Sequence, residues 1–365
     1  MFTQSPSSES PFQKWIPLAR QVVKRTLGLR WKDVLDIYSY LPTIPVAEAL
    51  ALEARRAGSD SHIELMTDDL WFTSMAELPD RWLREPSPTT LAINNVVTAH
   101  VYLGGPGDAR RMSTIPLEKF DANATGGMKQ DAPVIRRHVK YVDLPIGLVS
   151  PERAEAYGLD YSSWRENFEA ALAVDLSEIQ TAGTELAEQL TGRKRVRVTS
   201  DFGTDLRMET KPILPFLDDG IIDARDVSRM RSETSLPAGK LACAVVQTSA
   251  EGDVYFAEPI FLAGRSIKGT HFTFKRGKLV KWEAEENGDL LGHPLRNAAK
   301  AGADGLDWFA VGLNSAPKPC MLDNRMVKDD VTIGLGHHPQ LEPSKKRTVA
   351  GLDATVGICH LEISQ

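Results

Sequence analysis

The stretch Asp33-Val-Leu-Asp-Ile-Tyr-Ser-Tyr40, followed by Pro45-Val-Ala-Glu-Ala-Leu-Ala-Leu-Glu-Ala-Arg-Arg56 and His62-Ile-Glu-Leu-Met66, carries the clearest fold signal in the chain. The first segment is a strand-length run of β-branched, aromatic and apolar residues. The second has helical spacing with Pro45 in its first turn and Gly58 as its stop, and the third is again strand-like. Together they spell a βαβ unit. The apolar runs Thr90-Leu-Ala-Ile-Asn-Asn-Val-Val97 and Val139-Lys-Tyr-Val-Asp-Leu-Pro145, with a helical segment near Trp71–Arg84, extend it into an open α/β sheet.

Upstream, residues 1–10 are polar and rich in Ser and Pro, and an amphipathic helix follows from about Pro11 to Leu29. Downstream, helical patterns cover Pro151–Ala156, Ser163–Val174 and Leu176–Leu190, with Ser150 and Ser162 placed as N-caps. From Arg195 the texture changes to short runs punctuated by glycine: Arg195-Val-Arg-Val-Thr-Ser200, Gly252-Asp-Val-Tyr-Phe256 and Thr270-His-Phe-Thr-Phe274. Arg276-Gly277 is expected to turn a hairpin, Asp289–Ala301 to form a helix ended by Gly302, and Val349–Glu362 to close the chain as strands. The fold class is therefore α/β plus α+β. An arm and helix occupy 1–30, an open α/β sheet domain with bridging helices 31–194, and a β-rich domain 195–365.

At 365 residues, 42% hydrophobic and 25% charged, the chain has the composition of a globular protein, which excludes a disordered or collagen-like one. Lys and Arg number 43 against 49 Asp and Glu, a net charge of −6 that offers no overall field for phosphate backbones, so no nucleic-acid partner is expected. The opening MFTQSPSSESPFQK lacks the basic start and apolar run of a signal peptide, and no stretch approaches the roughly 18 apolar residues of a membrane span. Cys243, Cys320 and Cys359 are odd in number and widely spaced, suggesting neither a disulfide framework nor a thiolate zinc site. A soluble cytoplasmic protein without membrane partners is expected.

Residues able to do chemistry cluster late: Asp307-Trp308, Asn314, Asp323, Asp329-Asp330, His337-His338 and Asp353. On a strand, His337 and His338 would point to opposite faces, while a loop would relax that. Asp353 sits in the small, apolar run Val349-Ala-Gly-Leu-Asp-Ala-Thr-Val-Gly357, where a buried carboxylate needs a cation, a metal or strong hydrogen bonds; a turn aspartate is the alternative. Lys240 stands at the mouth of a strand, either on the surface or as a cation in a cleft. Cys320 has no recognisable base partner and is taken as structural. Asp201 and Asp205 flank a glycine in a turn that is expected to cap backbone amides.

The run Val196-Arg-Val-Thr-Ser-Asp-Phe-Gly-Thr-Asp-Leu-Arg-Met208, then Leu236-Pro-Ala-Gly-Lys240, Ser249-Ala-Glu-Gly252 and Gly277-Lys-Leu-Val280, resembles the aminopeptidase T family of thermophilic metallopeptidases. The resemblance runs from about Asp33 to Ile363 and takes in the related 2,5-dihydroxypyridine dioxygenases, which place non-haem iron on the same scaffold. It implies an N-terminal α/β domain, a β-rich C-terminal domain carrying the catalytic pocket, and a homodimer. The family's ligands carry over poorly. Its metal-binding Glu after Pro-x-Gly matches Lys240, and its next ligand falls on Trp308, or on Asp307 one position earlier. Its His-x-Ala-x-Gly histidine matches Thr332, the preceding Glu matches Val327, and of its His-x-Asp pair only Asp353 survives.

One carboxylate does not hold a catalytic divalent metal, which needs about three protein ligands. No metal or other cofactor is therefore expected. Lys240 is expected beside Asp353, its ammonium replacing the missing metal's charge. A rebuilt iron or zinc site would have to draw on His337, His338, Asp353 and Asp307. Three functions follow from the resemblance. The first is an enzyme on a small amide or amino-acid-like substrate, with Lys240, Asp353, His337 and His338 as catalytic or anchoring groups and Asp307, Trp308 and Thr332 at the substrate. The second is a ring-cleaving iron dioxygenase of an N-heteroaromatic compound with rebuilt ligands, and the third is a non-catalytic binding or partner subunit.

Overall fold

The computed structural model describes residues 10–319, 324–343 and 351–365, so Cys320, Asp323 and the start of the run at Val349 lie outside the described residues. The chain divides into two compact units, one of Met1–Gly107, Gly126–Leu148 and Ile221–Thr234, the other of Asp108–Thr125, Val149–Gly220 and Ser235–Gln365. This differs from the sequential division read above. Residues 149–194 group with the β-rich unit, and 221–234 return to the first.

In the first unit β1 (Val34–Tyr40), β2 (Asp60–Met66), β3 (Ala99–Tyr102) and β4 (Lys140–Asp143) form a parallel sheet in the order β2-β1-β3-β4, continued by β8 (Glu233–Ser235). The βαβ reading holds: the helix Ile44–Arg56 connects β1 to β2 and buries Val46, Ala47, Ala49, Leu50 and Ala54. Two details differ from expectation. Residues 88–94 form a helix rather than a strand, because Pro88 sits at its start and Ser87 accepts the Thr90 N–H at 3.4 Å, a capped terminus that overrides the β-branched content. The helix expected near Trp71–Arg84 is split into Asp68–Glu77 and Asp80–Leu83, with Pro79 between.

The second unit contains two antiparallel-paired sheets. One has the order β14-β13-β10-β6-β5-β18, with β5 (Arg195–Thr199), β6 (Asp205–Glu209), β10 (Glu251–Tyr255), β13 (His271–Lys275), β14 (Lys278–Glu283) and β18 (His360–Ser364). The other has the order β17-β16-β15-β9-β7, with β7 (Phe216–Asp218), β9 (Lys240–Ala244), β15 (Leu306–Gly312), β16 (Asp330–Leu335) and β17 (Leu352–Ile358). A hairpin of β11 (Ile260–Leu262) and β12 (Arg265–Ile267) completes the strands. One core joins the two sheets, taking Val196, Val198, Leu206 and Met208 from the first and Leu241, Cys243, Phe309, Val331 and Ile333 from the second. The Arg276-Gly277 turn has positive φ at both residues, 49° and 81°, the conformation that a two-residue hairpin requires.

Ser150 caps its helix as read, but the next helix, Tyr161–Ala173, is capped by Asp160 and not Ser162: the Asp160 carboxylate accepts the Ser163 N–H at 2.8 Å. The Asp201–Asp205 turn also differs. Asp205 forms a two-pronged ion pair with Arg197 across β5 and β6, both contacts 2.9 Å, rather than capping amides. Among the described residues no helix is long and apolar enough to cross a membrane.

Candidate functional site

Strand alternation divides the five-stranded sheet of the second unit into two unlike faces. Leu241, Cys243, Phe309, Val331 and Ile333 enter the main core, while the other face carries Phe216, Ala242, Ala244, Trp308 and Ala310. The second face is built from small residues around one large indole. Gly334 is the key to it: it pairs with Trp308 across β15 and β16, and a Cβ there would run into the Trp308 ring.

Beside this face lies a cavity of about 300 Å³, lined by Lys240, Trp308, Arg325, Leu335, His337, His338, Pro339, Gly351, Leu352 and Asp353. It gathers five of the seven residues assigned above to catalysis or to the substrate. Lys240 opens β9 directly opposite Asp218 of β7, and this register places Lys240 Nζ 3.2 Å from the Asp218 carboxylate, which is only 2% exposed. Lys240 also donates to Ser235 Oγ at 3.3 Å, while the Ser235 N–H donates to Asp218 at 3.0 Å. His338 stands edge-on to Trp308, centroids 4.7 Å apart at 81°, and 6.0 Å from Phe216. Its Nδ1 accepts the Gln340 N–H at 3.3 Å, which fixes the neutral tautomer with the proton on Nε2. Both ring nitrogens of His337 are shielded from solvent. The two histidines follow β16 in a loop, which lets both face one cavity.

Three expectations are corrected. Lys240 does not pair with Asp353: the cross-strand register gives it Asp218, and Asp353 takes Arg325 at 3.0 Å. Asp353 is not buried, with 46% of its side chain exposed, because β17 is an edge strand of the sheet. Asp307 and Thr332 do not line the cavity. Asp307 is the extra residue of an irregularity in the β15–β16 pairing between Leu306 and Trp308, its Oδ1 sealed from water without a hydrogen-bond partner among the described residues. Thr332 is wholly buried on central β16, its hydroxyl 3.4 Å from that of Thr355.

Sequence reading missed Asp218 and Arg325. Asp218 ends the apolar run Pro215-Phe-Leu-Asp218, where an acid in a short strand was the available signal; Arg325 lies in no pattern. A larger hollow of about 760 Å³ in the same unit takes Asp201 and Asp329 but none of those seven residues.

A divalent metal does not fit the described donors. No group of three or more His, Cys, Asp or Glu side chains among the described residues is arranged to hold one. Two cations, Lys240 and Arg325, line the same cavity, and the Asp353 carboxylate is already committed to Arg325. Of the rebuilt set, His337, His338 and Asp353 share the cavity and Asp307 does not.

The first unit holds a second gathering of titratable groups that the sequence reading also missed. Asp36, 3% exposed, lies between His62 and His100 because both are its register partners on the flanking strands. Asp36 Oδ1 is 2.6 Å from His62 Nδ1, and Oδ2 is 3.0 Å from His100 Nδ1. Burial pushes the Asp36 carboxyl upward, but hydrogen bonds from His100 and His62 outweigh it and leave its pKa below the ordinary value. Burial and the neighbouring Asp36 charge raise Glu64.

Comparison with known proteins agrees with the architecture. The model of the thermophilic metalloprotease (M29) family matches residues 166–318. Wild-type AmpT from Thermus thermophilus superposes with a TM-score of 0.70 at 17% identity, covering 97% of this chain and 95% of that one. The 2,5-dihydroxypyridine dioxygenase from Pseudomonas putida KT2440 gives 0.56 at 11% identity, covering 98% and 94%. No curated protein sequence matches the chain. The resemblance read from the sequence is thus met twice, by the thermophilic metalloprotease (M29) match over residues 166–318 and by a fold shared along nearly the whole chain with AmpT and the dioxygenase.

Proposed function

We propose that the protein is a divergent aminopeptidase-T-like enzyme that acts on a small amide or amino-acid-like molecule without the family's metal centre. The observation that carries this reading is the convergence of Lys240, His337, His338, Trp308 and Asp353 on one cavity in the β-rich unit. Its size suits a small ligand, and an apolar wall with a few convergent polar groups is what such a ligand needs.

In this reading Trp308, Leu335, Pro339 and Leu352 hold the apolar part of the substrate. The His338 Nε2–H faces a carbonyl oxygen and stabilises the negative charge that develops there when water adds. The amide C–N bond then breaks, and the leaving nitrogen takes up the proton released by the water. Lys240, held by Asp218 and Ser235, supplies a fixed positive charge where the family places a metal-binding carboxylate.

The test is hydrolysis of a panel of small amides by chelator-treated protein, with metal content measured in parallel on wild type and a His337→Ala, His338→Ala double variant. Activity that survives chelation and disappears in His338→Ala is expected. Chelator-sensitive hydrolysis of aminoacyl anilides would sink the proposal. Near-stoichiometric iron lost in the double variant, together with oxygen uptake, would put the dioxygenase reading in its place.

A further inference from the structure

From the charge lining this cavity we infer that its ligand is an anion: a small amide carrying a free carboxylate rather than a free amine. The inference rests on the cavity being the substrate site and adds which substrates enter it. Lys240 lines the cavity and Asp218, whose sealed carboxylate holds the ammonium, does not, so the pair presents its lysine to an entering molecule. An ammonium has three N–H donors. One serves Asp218 and one serves Ser235 Oγ, which leaves one for a ligand oxygen.

The remaining lining charges point the same way. Arg325, with 34% of its side chain exposed, is a second cation, and Asp353 is the sole lining carboxylate among the described residues, already bonded to that arginine. A cationic amine would have to share Asp353 with Arg325 and would sit near two like charges. A carboxylate takes the open Lys240 donor and lies near the Arg325 guanidinium, leaving the Lys240–Asp218 and Arg325–Asp353 pairs in place. Trp308 and Leu335 leave an apolar wall for the rest of the molecule.

The experiment compares three alanine derivatives on the full chain by isothermal titration calorimetry: N-acetylalanine, which is an anion, its near-isostere N-acetylalaninamide, which is neutral, and the smaller alaninamide, which is a cation. N-acetylalanine is expected to bind at least tenfold more tightly than either of the others, and its affinity should fall as salt is raised. Lys240→Met should erase that preference and Lys240→Arg should restore most of it. If Lys240→Met does not fold, the ratio between the anionic and neutral probes and its salt dependence still decide. Binding of alaninamide in preference to N-acetylalanine, or an anion preference unchanged in a folded Lys240→Met, overturns the inference and leaves the cavity as the substrate site. Binding of none of the three, with no change in Trp308 emission relative to a Trp308→Phe control, removes the underlying reading as well.

Discussion

Asp36 and Asp353 each come with two histidines, and the two sets are built in opposite ways. Around Asp36 the histidines stand on neighbouring parallel strands in direct register, so backbone spacing alone sets both contacts, at 2.6 and 3.0 Å. Around Asp353 they come from a loop after β16, and the carboxylate bonds to Arg325 instead. The first set pairs both carboxylate oxygens with imidazoles, while His100 Nε2 is sealed from water without a hydrogen-bond partner among the described residues. The second leaves polar groups facing a cavity, the arrangement that a small ligand needs.

The comparison breaks first at Asp36. Asp36→Ala orphans two imidazole donors in the first unit and should cost about 3 kcal/mol, read as a shift in the chemical denaturation midpoint. A negligible loss would mean the cluster contributes no stability. Because the folded pKa of Asp36 lies below its unfolded value of about 3.9, its stabilisation is present above that value and is lost as pH falls through the folded pKa. The stability gap between wild type and Asp36→Asn should therefore narrow as pH drops below about 4, and a gap that widens there would contradict the assigned direction.

Asp218→Asn comes next, at about 2 kcal/mol, since it leaves the ammonium of Lys240, a side chain 17% exposed, without this ionic partner. Thermal unfolding measures the loss, and probe binding in the same variant reports whether Lys240 still faces the cavity. Gly334→Ala sharpens the contrast differently. Displacing the indole should cost about 1–2 kcal/mol and shift tryptophan emission, whereas unchanged emission would show that the sheet absorbs a methyl there. The smallest effect belongs to Asp353→Asn, within about 1 kcal/mol for a pair this exposed, a value that denaturant titration resolves from the Asp36 result.

The βαβ opening was legible because strand, helix and strand each carry their own pattern, with Pro45 and Gly58 as punctuation. Residues 88–94 were misread because a capped helix start outweighed apolar content. At the cavity, Lys240, Trp308, His337, His338 and Asp353 were singled out by residue type and by the resemblance, yet the partners of Lys240 and Asp353 were not. Asp218 became visible only through the register of β7 against β9, and Arg325 only through the path of a loop. Register and loop path are long-range properties, set by which strands pair, and local spacing does not encode them.

Gly334 gives the cavity a signature that charged residues do not. A chain of this fold with a larger residue at that position has to choose between that side chain and the indole, so an aromatic wall here requires glycine opposite. The pairing of Trp308 with Gly334 can therefore be looked for in other sequences without any structure, as a two-letter mark of this aromatic wall.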